Sequence, residues 1–86
     1  MTALSGPSRA IAQWFATYGA TLDDATSFRR QLEVLRADLR IVGEVVDTLS
    51  AAGEMDQEWH DALIEGEALA VAIEARLAAI TGEQVS

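Results

Sequence analysis

Two long heptad stripes separated by one short polar break constrain this chain more than any other feature. The first comprises Phe28, Leu32, Leu35, Leu39, Val42, Val46 and Leu49, and the second Trp59, Leu63, Gly66, Ala70, Ile73, Leu77 and Ile80. Both advance by alternating steps of three and four residues. That spacing keeps one side of an α-helix apolar and suits coiled-coil-like packing. A strand, with its period of two, would scatter the same residues over both faces.

Local signals place the helix ends. Pro7 suits a first-turn position and Gly19 a left-handed residue after a helix end, which predicts a helix over about 8–18 with Ile11, Trp14, Phe15 and Tyr18 on one face. Thr21 with Asp24 three residues on reads as a capping box, predicting a second helix over about 22–52 that ends at Gly53. Asp56 as N-cap and Gly82 as terminator predict a third over about 57–81. At 1.5 Å per residue the last two would be roughly 45 and 37 Å long, and the short link between them requires an antiparallel hairpin. The expected fold is therefore all-α, in a single domain spanning 1–86.

A hairpin buries one stripe per helix, and this chain has more to bury. Val34, Ile41 and Val45 widen the apolar arc of the second helix, and Ile64, Ala68, Val71, Ala75 and Ala78 form another row on the third. A helix apolar on two sides lies between two neighbours. The short first helix is expected to cover one such surface and not both. Dimerisation into a four-helix bundle is then the expected completion, with Val34, Ile41, Val45, Ile64 and Val71 as candidate interface residues. Size agrees, because an 86-residue chain buries only roughly 60–65% of its unfolded surface and is marginal as a monomer.

Charge narrows the partner classes. The formal net charge is −8, lysine is absent, and all six cations are arginine. Direct nucleic-acid and anionic-membrane binding are disfavoured on those grounds. From Ile41 to Ala75 there are nine acidic residues and no basic one. Glu54, Asp56, Glu58, Asp61 and Glu65 at the expected hairpin tip form a candidate surface for docking on a basic groove of another protein. Arg29, Arg36 and Arg40 are the alternative: arginine forks over three turns that could hold an anionic, nucleotide-like ligand between subunits. Glu33 and Glu44, spaced among them, favour an ordinary ion-paired helix face.

The remaining chemistry is sparse. With one histidine, His60, no cysteine, no glycine-rich phosphate loop and no lysine, no catalytic constellation or cofactor site is expected. A metal at His60 is disfavoured because Gln57 stands where bundle di-metal sites place a carboxylate. Gly66 and Ala70, four apart, read as close helix packing more readily than as a ligand pocket. The most apolar stretch, Ala68 to Ile80, carries Glu74 and Arg76 and is too short to span a bilayer, so an untargeted cytoplasmic protein is expected. The functional expectation is a non-enzymatic acidic helical protein that self-associates and binds, regulates or inhibits a partner protein. In size and charge alone it is similar to phage-encoded antagonists of host systems. The alternatives are a small-anion binder and a structural or virion assembly component.

Overall fold

A computed structural model describes Leu4 and residues 6–82. Within them lie three helices and no strand: α1 (Pro7–Tyr18), α2 (Ala25–Ala51) and α3 (Gln57–Thr81). The α2–α3 pair is an antiparallel hairpin, and α1 packs back across both members. Its principal extents are 44 × 29 × 17 Å and its radius of gyration 14.1 Å, against about 12 Å for a compact chain of this length. The excess arises because α1 is less than half as long as the hairpin it covers.

The helix ends follow side-chain chemistry, with two departures from expectation. Asp24, and not Thr21, caps α2: its carboxylate accepts from the Thr26 and Ser27 amides and from the Ser27 hydroxyl. Thr21 instead belongs to a tight turn, where its amide and that of Leu22 both donate to the Tyr18 carbonyl. The helix therefore starts at Ala25, three residues later than expected. Gly19 has right-handed dihedrals, φ −58° and ψ −32°. Glycine is required there for space, since a Cβ would come within 2.8 Å of the Phe15 ring. Asp56 caps α3 as expected by accepting from the Glu58 amide, and Gly82 ends that helix at φ 73°.

The core sits where all three helices meet. Phe28, Leu35 and Ile73 are fully buried, with Ile11, Leu32 and Ala70 beside them. Trp14 meets Phe28 edge-on at 5.0 Å between ring centroids, and Phe15 does so at 6.4 Å, a geometry that suits opposed ring edges and faces. Tyr18 is half-exposed at the end of α1. Gly66 has its expected packing role: a Cβ there would overlap the Leu39 side chain, so its absence lets α2 and α3 approach closely.

Two features of the α1 contact were not legible from the stripes. Ser8 is buried and donates its hydroxyl to Asp38 of α2. Leu4, which precedes α1, is buried beside Gly66, with the Arg9 guanidinium donating to its carbonyl at 2.9 Å. Burial on α3 accordingly extends beyond the heptad stripe to Ala62 and Leu69.

Candidate functional site

Three constellations anticipated from sequence can now be placed. The arginines come first. Arg29 and Arg36 line one open groove of about 380 Å³ together with Leu32, Glu33, Glu74, Leu77 and Ala78. Arg36 is ion-paired to Glu74 across the hairpin, and Glu33 stands in the same wall. Arg40 does not line this groove. Two cations facing two carboxylates leave no net positive field for an anion, and an exposed pair of this kind contributes about 0–1 kcal/mol. Arg76, the one arginine of α3, points elsewhere. Its Nε donates to the Gly19 carbonyl at 2.7 Å, and its Nη2 reaches the Ala20 and Leu22 carbonyls and the Asp23 carboxylate. It ties the α1–α2 turn to α3 and is not free to join an anion site.

The acidic tip is second. Glu54, Glu58, Asp61 and Glu65 are exposed around the α2–α3 turn, as is Asp56. Asp56 is occupied as the α3 cap, and Asp61 accepts from the Gln57 side chain at 2.8 Å. His60 lies in the first turn of α3, half-buried, with its amide donating to the Asp56 carbonyl. Among the described residues no group of three or more His, Cys, Asp or Glu side chains is disposed to hold a metal ion.

The third constellation is the uncovered apolar surface. Ile41 is 60% exposed, Ile64 53% and Val71 66%, with Val34 and Met55 also exposed. These residues do not form one continuous face. Asp38, which holds Ser8 of α1, stands four residues after Val34 and three before Ile41, so the Val34–Ile41–Val45 row flanks the side that α1 occupies. Glu74, which holds Arg36 across the hairpin, stands three residues after Val71 and ten after Ile64. The Ile64–Val71 row therefore lies on the opposite side. The five candidate interface residues fall into two surfaces, one on each side of the hairpin.

The α1 side divides further along its length. Leu4 and Ser8 bring the start of α1 level with Gly66 and Asp38, so no described helix covers the hairpin from there to its tip. From Leu39 to the end of α2 that is roughly 18 Å of helix. In this bare half a shallow, largely apolar groove of about 310 Å³ is lined by Ile41, Glu44, Val45, Thr48 and Leu49. Trp59, expected to open the α3 seam inside the core, is 36% exposed here because no third helix reaches it.

Among the described residues no helix is long and apolar enough to cross a membrane. Comparison with known protein families, characterised proteins and solved structures finds no match.

Proposed function

We propose that this chain is a non-enzymatic interaction protein: an acidic three-helix unit that self-associates and binds, and thereby regulates or inhibits, another protein. The observation that carries the reading is the segregation of charge along an incompletely covered hairpin. Residues 41–75 hold nine acids and no base, and the same half of the molecule exposes Ile41, Met55 and Ile64. Exposed apolar side chains rimmed by a single sign of charge mark interaction surfaces, because burial supplies affinity and the field selects the partner.

Self-association fits the Ile64–Val71 side. That side also carries Arg36, with Arg29 beside it, at the open end of the hairpin. Two copies meeting antiparallel on it would cover the exposed Ile64 and Val71 of each. The anion-binder reading is weaker, given the carboxylates that already face Arg29 and Arg36.

Size-exclusion chromatography with light scattering, followed by capture from host lysate on immobilised protein, tests the proposal. The expected result is a discrete dimer that Val71→Asp converts to a folded monomer, together with a captured basic protein. A monomer at every concentration that captures nothing would refute it.

A further inference from the structure

We propose that the bare half of the α1 side is a docking groove for one basic, amphipathic helix of a partner protein, seated end to end with α1. This rests on the partner-binding reading above and names the surface and the partner's chemistry.

The groove continues a track that already accommodates a helix. Under α1 lies Phe28 of α2, which meets Trp14 and Phe15, clustered with Leu35 of α2 and Leu69 and Ile73 of α3, with Asp38 at the α2 edge and Arg76 at the α3 edge. Continuing along α2 from Asp38 by three and seven residues reaches Ile41 and Val45, and Leu49 follows. Stepping back along α3 from Leu69 by seven and then four reaches Ala62 and Glu58. Beyond the start of α1 the track keeps Ile41, Val45 and Leu49 of α2, and no described helix lies on it. Roughly 18 Å of it accommodates about twelve residues of helix, enough for anchors at i, i+3 or i+4, and i+7.

Charge selects among the occupants. Glu44 lies in the groove wall on α2, and Glu58 lies on the α3 side. Between Ile41 and Ala75 no cation offsets them. A second copy of this chain, itself at −8, would bring more negative charge to that rim. A helix with one apolar face and lysines or arginines along its flanks would cover Ile41 and Val45 and pair with the acids, and its encounter would be steered by the field. Groove recognition by such a helix uses the same packing that seats α1.

The test uses the full-length protein and a fluorescein-labelled 14-residue Leu/Lys peptide with leucines at helical spacing. A scrambled peptide of equal composition serves as the comparison. Binding of the amphipathic peptide, weakened by added salt, is expected to be about tenfold weaker for Ile41→Ser, because one buried aliphatic side chain is lost from the contact. Val71→Ser, on the opposite side, should leave it unchanged. Val45→Ser repeats the measurement, and unchanged melting curves for either serine variant establish that it is folded.

Equal affinity for the scrambled peptide, or for Ile41→Ser and Val45→Ser, reduces the effect to unspecific attraction by an acidic surface and overturns the groove. So does a homodimer that Ile41→Ser dissociates, since the occupant is then a second copy. If lysate capture succeeds equally with wild type and Ile41→Ser, the broader interaction role stands while the groove falls. If neither peptide nor lysate protein binds, both fall.

Discussion

The two halves of the α2–α3 hairpin are built from the same heptad pattern, yet only one is enclosed. At the open end α1 closes over the seam, and Phe28, Leu35 and Ile73 have no exposure. At the tip the seam is two helices thick: Trp59 is partly wet, Val46, Leu49 and Leu63 are only half-buried, and Val42 stays buried, while Ile41 beside the seam is mostly exposed. A third helix, and not any change in the stripes, makes the difference. An apolar stripe states which side of a helix prefers to be dry; a neighbour has to be present for it to become so.

The comparison can be broken most directly by paired truncations. Leu35→Ala should cost about 2–5 kcal/mol in urea unfolding, a large share of the stability of so small a domain, while Ile41→Ala should cost less than about 1 kcal/mol. Similar losses at both positions would mean that the tip is as dry as the open end, for instance through a second copy. Urea curves at several protein concentrations would then identify that copy, because dimer stability rises with concentration.

The two mid-helix glycines sharpen the contrast. Gly66→Val should destabilise by about 1–3 kcal/mol, because its side chain enters the space of Leu39, and Leu39→Ala should relieve part of that loss in the double variant. Gly43, with nothing within 4 Å of a Cβ, behaves oppositely. Gly43→Ala should stabilise by up to about 1 kcal/mol through helix propensity alone. Destabilisation by that alanine would indicate a close neighbour at Gly43 in the associated protein.

The smallest expected effect concerns the two caps. Asp24 accepts from two amides and a hydroxyl, whereas Asp56 accepts from one amide, so Asp24→Ala should lower the melting temperature more than Asp56→Ala. The Ser27 hydroxyl, then the Ser27 and Thr26 amides, hold the Asp24 carboxyl below its usual value of 3.8, with Arg30 adding to the effect. The folded value lies under the unfolded one. Its contribution is therefore complete above pH 3.8 and fades as pH falls through the folded value. The melting-temperature gap between wild type and Asp24→Ala should close over that acidic range, and a gap constant with pH would contradict the assignment.

Much of this was legible in advance, and the failures have identifiable causes. The stripes located all three fully buried large side chains, and Asp56 and Gly82 marked the ends of α3. Thr21 was misread because two residues able to cap, Thr21 and Asp24, stand three apart; the tight turn after α1 consumes the first and leaves the carboxylate to do the capping. The Ser8–Asp38 hydrogen bond and the burial of Leu4 had no signal in helical periodicity, since a polar residue and one outside any helix lie off every stripe. Arg76 read as a charge interrupting the apolar stretch of the third helix, and its reach to the Gly19 carbonyl shows it fastening a turn.

For the candidate site the division is similar. Composition alone determined the excess of acid over base between residues 41 and 75, and periodicity alone determined that Val34, Ile41, Val45, Ile64 and Val71 lie outside the main stripes. Neither could assign those five to sides, because an angular position on one helix has no meaning for another until their packing fixes a common frame. The Ser8–Asp38 and Arg36–Glu74 contacts supply that frame, dividing the five between two sides and leaving one groove beyond α1. Helices and their apolar sides follow from local spacing. Which apolar side is covered depends on where a twelve-residue helix comes to rest on a longer hairpin, and contacts distant in sequence decide that.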